Sequence, residues 1–137
     1  MNFPALIRRF VYPRIDTPEA AWKAAANSGF AGAVMAANRM LSGGSLLFVP
    51  APIMQGLVDL GIGFVYVILA HLAFKRSRLA SGVILVMTVL EVLIELSLVP
   101  GYRFNLLIVG AAVILAVGGF RGANAVYTLP RKSGSRR

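Results

Sequence analysis

The stretch from Pro52 to Leu98 constrains the fold of this chain more than any other part of its sequence. It contains two long apolar segments joined by the basic tetrapeptide Lys75-Arg76-Ser77-Arg78, and three acids lie inside the apolar parts: Asp59, Glu91 and Glu95. A helical apolar segment of about 20 residues matches the hydrocarbon thickness of a lipid bilayer. The sequence therefore predicts a membrane hairpin with buried carboxylates.

Composition extends this prediction to the whole chain. Hydrophobic residues make up 58% of the 137 residues and charged residues only 14%, and the mean hydropathy is +0.76. A soluble protein of this size has no core large enough for so much apolar surface. The predicted fold class is all-α: an integral membrane four-helix bundle, preceded by a short N-terminal interfacial amphipathic helix. The absence of cysteine excludes disulfides, thiolate catalysis and cysteine metal sites, and no cofactor is predicted.

Local signals divide the single membrane domain, residues 1–137, into six segments. A helix start is predicted from Asp16 or Thr17 as the N-cap, Pro18 in the first turn, and Glu19 completing a capping box. The uncharged, glycine-containing residues 42–50 predict a loop. The predicted segments are an interfacial helix at 1–15, transmembrane helices at 18–41, 51–74, 79–99 and 104–120, and a basic cytoplasmic tail at 121–137.

The first long helix has a row of small residues at every fourth position: Ala24, Ser28, Gly32 and Ala36. Small residues allow two helices to approach closely in a membrane. The row predicts helix packing, either within the chain or against a second chain, which includes another copy of this one. Lys23 and Arg39 make the same helix a poor match for surrounding lipid.

The distribution of lysine and arginine predicts the orientation of the chain in the membrane. Basic residues concentrate in the N-terminal segment, in the 75–78 turn and in the tail, while the opposite loops hold little positive charge. By the positive-inside rule, both termini and the turn are cytoplasmic, and the predicted location is the bacterial inner membrane. The net charge of +9 lies beside apolar segments, so anionic lipid headgroups, and not nucleic acid, are the predicted partners.

Polar groups from four segments are predicted to meet at one depth of the bilayer. At a rise of 1.5 Å per residue, Asp59 and Glu91 lie at about the same level in the outer half. A lone charge mid-membrane costs about 2.5–3.5 kcal/mol, so these groups should turn inward and pair. Arg39 is the expected partner of Glu95 or Glu91, with Arg103 closing the site. The predicted ionic layer comprises Arg39, Asp59, Glu91, Glu95 and Arg103.

Two roles are open for this ionic layer. It either ties the helices together and fixes their register, or it holds a proton on its crowded carboxylates and acts as a proton or cation relay. Tyr66 and His71 form a candidate proton path toward the cytoplasmic end of the second long helix. No metal site is predicted, because His71 has no ligand partner at a recognisable spacing.

Short motifs at the turn and after the last helix carry a resemblance. Asp59, the turn Lys75-Arg76-Ser77-Arg78-Leu79-Ala80, and the segment from Phe120 to Tyr127 are similar to a pattern in small four-helix bacterial membrane proteins. Those proteins have a Ser-Arg-x-Ala turn and an ending in which Arg-Gly precedes alanine and an aromatic residue. The resemblance implies the same topology for the last three helices and implies no activity. Arg121-Gly122 is also predicted to cap the last helix, with Gly122 at positive φ.

The sequence favours a non-enzymatic structural or accessory subunit of a membrane assembly, because the small-residue row offers packing and the loops carry little chemistry. A proton-coupled transporter or channel component using Asp59, Glu91 and Glu95 is the second hypothesis. A lipid-modifying or glutathione-type enzyme is the third, since no pairing of a nucleophile with a base is visible.

Overall fold

The fold is entirely helical in the part of the chain that the structure describes. This computed structural model describes residues 11–13, 15–48, 53–98 and 103–129, without the side chains of residues 95, 98 and 103–105. These residues contain no strand and form α1 (Pro18–Leu46), α2 (Ile53–Phe74), α3 (Arg78–Leu98) and α4 (Arg103–Thr128). The all-α prediction is confirmed. Most of the predicted interfacial helix at 1–15 and the end of the tail lie outside the described residues.

Hydroxyl side chains start two of the helices. Thr17 is the N-cap of α1, and its Oγ1 accepts a hydrogen bond of 3.2 Å from the Ala20 N–H. Ser77 does the same for α3, accepting from the Ala80 N–H at 3.2 Å. Each cap satisfies one of the backbone donors that the first turn of a helix leaves without a partner.

The turn between α2 and α3 is tight because its backbone closes on the end of α2. The N–H of Arg76 donates to the Ala73 carbonyl at 2.8 Å, and the N–H of Ser77 donates to the Leu72 carbonyl at 3.0 Å. This is the Schellman pattern, and Arg76 has the positive φ of 69° that usually falls to glycine. The basic turn therefore reverses the chain with almost no loop.

Helix α1 continues through Leu46, whereas the sequence analysis ended it at 41 and placed a loop at 42–50. Gly43 is buried in the helix, and a side chain there would meet the Gly56 carbonyl oxygen at 2.7 Å and the Leu60 nitrogen at 2.9 Å. Glycine at this position permits the backbones of α1 and α2 to touch. The glycine-containing pattern that indicated a loop therefore belongs to a contact between α1 and α2.

Helix α4 also runs beyond its predicted end, reaching Thr128 in place of 120. The predicted cap at Arg121-Gly122 is wrong, since the described glycines include none at positive φ. Gly122 lies inside the helix, where a Cβ would meet the backbone of Ala24 and Ala25. Here too, glycine makes room for a neighbouring backbone.

The four helices close into a bundle in which α1 is central. Helix α1 packs against α2 and α4 along much of its length and also touches α3, while α3 packs against both of its sequence neighbours. The described residues of α2 and α4 make no close backbone approach to each other. The interior around α1 consists mainly of small side chains, most of them alanine.

The small-residue row of α1 is buried within this chain. Ser28 lies against Gly119 of α4, and Gly32 lies against Ala70 of α2 and Ile84 of α3. The buried members of the row are Ala24, Ser28, Gly32 and Ala36. Of the two forms of packing that the sequence left open, the structure uses this row for contacts inside the chain.

Large apolar side chains lie on the outside of the bundle. Phe64 is 61% exposed, and Leu79 is 77% exposed. The other exposed large apolar residues on α2 and α3 are Ile53, Met54, Leu57, Val58, Val65, Val67, Ile68, Leu72, Phe74, Val86, Val89, Leu90, Leu93, Ile94 and Leu96. The usual arrangement of a water-soluble bundle, with large apolar residues inside, is thus reversed.

Two helical stretches among the described residues are long and apolar enough to cross a membrane: Ile53–Phe74 and Leu106–Thr128. Helix α1 does not qualify, because alanine, glycine and polar residues dominate it. Length and composition of two helices are weak evidence, since a core helix of a soluble protein passes the same test. Four membrane spans therefore stay a prediction.

We expect Gly119→Ala to destabilise the bundle by about 1–3 kcal/mol, because the added Cβ would overlap Ser28 of α1. The better helix propensity of alanine, about 1 kcal/mol, would not offset this overlap. Gly110→Ala on the same helix is the matched control, since nothing lies within 4 Å of its added Cβ. The measurement is the free energy of unfolding in mild detergent, followed by circular dichroism. Equal stability of the two variants would contradict the close α1–α4 contact.

Candidate functional site: a buried arginine between two carboxylates

Arg39 of α1 binds acids from two other helices. Its Nη1 lies 2.8 Å from Oδ1 of Asp59 on α2. Its Nη2 lies 3.2 Å from Oε2 of Glu91 on α3, and its Nε donates to the other Glu91 oxygen at 3.3 Å. The guanidinium therefore contacts both oxygens of Glu91 and one oxygen of Asp59. We call Arg39, Asp59 and Glu91 the ionic triad.

The triad is largely removed from solvent. The side chain of Asp59 is 9% exposed, that of Glu91 is 8% exposed and that of Arg39 is 21% exposed. Each residue lies six or seven positions from the nearer end of its helix, or about 10 Å along the helix axis. The three side chains consequently meet at one level of the bundle.

Ser42 adds a hydroxyl to the triad. Its Oγ donates to Oδ2 of Asp59 at 3.3 Å, so both carboxylate oxygens of Asp59 have a donor. Sequence analysis missed this residue because it assigned Ser42 to a loop. The available signal was its spacing of three from Arg39, which places both on one face of a helix that continues.

The remaining members of the predicted ionic layer have no described side chains. Glu95 belongs to α3 and Arg103 begins α4, but their side chains lie outside the described residues. Arg39 was expected to pair with Glu95 or Glu91. The structure places it against Glu91 and, in addition, against Asp59.

The two residues of the candidate proton path face different ways. Tyr66 is fully buried and lies beside Glu91, and its hydroxyl makes no well-formed hydrogen bond with the described residues. His71 is exposed on the outside of α2. Five residues of helix separate them by about 140° around the axis, so a path through the bundle interior includes Tyr66 and excludes His71.

Further buried hydroxyls continue from the triad toward the basic turn. Ser81 and Thr88 precede Glu91 on the same face of α3, at spacings of ten and three residues, and both are fully buried. Thr88 donates to the Ile84 carbonyl at 2.9 Å, whereas the hydroxyls of Ser28 and Ser81 have no hydrogen-bond partner among the described residues. The buried polar groups thus extend along the interior beyond the triad.

Within the described part of the chain, no group of three or more histidine, cysteine or acidic side chains could hold a metal ion. The chemistry of the triad is that of a charge cluster. It can attract charge, hold helices in register, and exchange a proton at a carboxylate.

Comparison with protein-family models, with curated proteins and with solved structures found no match for the chain. The motifs behind the resemblance can still be given structural roles. Ser77 caps α3, Ala80 is 1% exposed, and Arg121 donates to the Val11 carbonyl at 3.0 Å. These contacts concern packing at the basic end of the bundle.

We expect Arg39→Met to lower the free energy of unfolding by about 3–5 kcal/mol, because it leaves two carboxylates together without their cation. Adding Asp59→Asn and Glu91→Gln should recover part of the loss. Lys23→Met is the control, since the Lys23–Glu19 pair is exposed to solvent, where screening leaves an ion pair little effect on stability. Unfolding titrations in detergent measure all three variants. A loss for Arg39→Met no larger than that for Lys23→Met would contradict the triad's role.

Proposed function

We propose that this protein is an integral membrane four-helix bundle that serves as a non-enzymatic structural or accessory subunit of a membrane assembly. The observation that carries the proposal is the reversed distribution of side chains, with small residues inside and large apolar residues outside. Water would penalise such a surface at roughly 25 cal/mol per Å² of apolar area. Lipid chains remove that penalty.

The interior also fits a membrane environment. Between helices in lipid, hydrophobic burial drives little association, so close van der Waals packing and polar contacts must hold the bundle. Gly43, Gly119 and Gly122 bring backbones together, and the ionic triad supplies polar contacts. Helix α1 carries Arg39 and few large apolar residues, and it packs against all three of the other helices. Its outward face presents Phe30, Val34 and Leu41.

The proposed orientation places the 75–78 turn and both termini in the cytoplasm of a bacterium, with the ionic triad in the outer half of the inner membrane. Trp22 and Tyr127 lie at the basic end together with the turn. Arg76 lies over the Trp22 ring and accepts a hydrogen bond from Tyr127 at its carbonyl. Aromatic residues beside basic ones are typical of a membrane–water interface.

An accessory role predicts that the protein is isolated in an assembly. After extraction in a mild detergent, we expect a native mass above that of the 14.6 kDa chain, from further copies or from co-purifying membrane protein. A partner would meet the outer apolar faces, because the small-residue row of α1 is already buried. Extraction in a harsh detergent is the control and should yield the single chain. A strictly monomeric particle in the mild detergent would count against the accessory role.

A second candidate function is supported by the charges of the triad. Two carboxylates share one guanidinium, and the buried Tyr66 hydroxyl lies beside Glu91. A carboxylate in this position can take up and release a proton without leaving the bundle interior. We infer that a proton-coupled transporter or channel component would use Asp59 and Glu91 as its relay.

For this candidate, Glu91→Gln and Asp59→Asn are each expected to abolish proton flux into proteoliposomes, because an amide cannot exchange a proton as a carboxylic acid does. His71→Gln is the control and should leave the flux unchanged, since His71 faces outward. Flux is read from a pH-sensitive dye trapped inside the vesicles. Unchanged flux in both carboxylate variants would remove the relay.

A further inference from the structure

A groove lies between α3 and α4 at the end of the bundle that carries the basic turn. It has a volume of about 580 Å³ and is lined by Ser77, Arg78, Leu79, Gly82, Phe120 and Tyr127. This volume falls within the range of about 300–1,000 Å³ that is usual for ligand pockets. Gly82 has no side chain, which leaves the base of the groove open. A Cβ added there would lie 3.3 Å from the edge of the Phe120 ring.

The groove has a polar rim and an apolar wall. Ser77 and Arg78 form the rim where α3 begins, and Tyr127 closes it from α4. Away from the rim, Leu79 and Phe120 present apolar surface, and the Leu79 side chain is 77% exposed. A ligand that fits this groove therefore joins a polar or charged group to a long apolar chain.

Arg78 determines the sign of the charge that the ligand must carry. Its guanidinium has no carboxylate within ion-pair distance in the part of the chain that the structure describes. Among the neighbouring cations, Lys23 pairs with Glu19, and Arg76 and Arg121 lie over aromatic rings. Lys75 also lacks an ion pair among the described residues, but it does not line the groove. Arg78 is thus an uncompensated positive charge at the rim, and it attracts an anion.

We propose that this groove binds one anionic phospholipid, with the phosphate at Arg78 and one acyl chain along Leu79, Gly82 and Phe120. Basic pockets between membrane helices on the cytoplasmic side are suited to anionic headgroups. The inference rests on the proposed membrane location, because the bilayer presents a phosphate and an acyl chain together at this level. Inorganic phosphate would contact the rim alone, and an apolar helix of a second protein would leave Arg78 without a counter-charge.

The test is a native mass titration of the detergent-purified full chain with phosphatidylglycerol and with phosphatidylcholine of identical acyl chains. We expect one phosphatidylglycerol to bind in preference to phosphatidylcholine. Arg78→Gln should weaken phosphatidylglycerol binding about fivefold and phosphatidylcholine binding less, because the choline cation already offsets the charge of that phosphate, so the preference for phosphatidylglycerol should shrink. Leu79→Gln should weaken the binding of both lipids. Lys75→Gln, in the same turn but outside the groove, is the matched control for removing one positive charge and should bind like the unaltered protein.

Equal binding of the two lipids, an equal loss for Lys75→Gln and Arg78→Gln, or displacement of the lipid by inorganic phosphate would each overturn the proposal. Flotation with neutral phosphatidylcholine vesicles separates this failure from failure of the membrane location. Protein that floats but shows no preference for phosphatidylglycerol refutes the lipid site alone. Protein that does not float refutes the membrane location together with the site that rests on it.

Discussion

The ion pairs of Arg39 are the interaction on which the relative positions of α1, α2 and α3 depend. The two carboxylates it binds are more than nine-tenths removed from solvent, where attraction between opposite charges is stronger than at the surface. Slipping α2 or α3 by one helical turn would move a carboxylate about 5.4 Å along the axis and break its contact. Small apolar side chains specify such a register weakly, because one alanine contact resembles the next. The triad therefore determines which helical turns of α1, α2 and α3 lie beside one another.

The contact between α1 and α4 is held differently. Gly119 and Gly122 lie against the backbone of α1 at Ser28 and Ala24, with no ion pair between the two helices among the described side chains. Close packing holds this contact in place of charge, since a methyl group added at either glycine would overlap the backbone of α1. Helix α1 is thus joined to α2 and α3 by the ion pairs near one end, where Gly43 also lies against α2, and to α4 by close backbone approach nearer the other end. The small residues that give α1 its low hydropathy also allow the other three helices to approach it closely.

The two ends of the bundle have opposite character. Acidic groups and their arginine are enclosed near one end, whereas the basic turn, aromatic rings and an uncompensated arginine lie at the surface of the other. Enclosed charge fixes structure or holds a proton, and exposed positive charge attracts an anionic surface. The proposed membrane subunit, proton relay and phospholipid site each follow from one of these ends or from the apolar surface between them.

The sequence by itself determined that the chain is helical, because apolar segments of the right length are separated by caps and turns such as Thr17 and Ser77. It also put Arg39, Asp59 and Glu91 at similar depths, since helical rise converts residue number into distance. Only the tertiary structure decided that α1 runs through Ser42 and Gly43 to Leu46, and that α4 continues past residue 122. Glycine is about 1 kcal/mol less favourable than alanine inside a helix, and the close contact with a neighbouring backbone outweighs this cost. That contact joins residues far apart in the chain, so no local pattern reveals it.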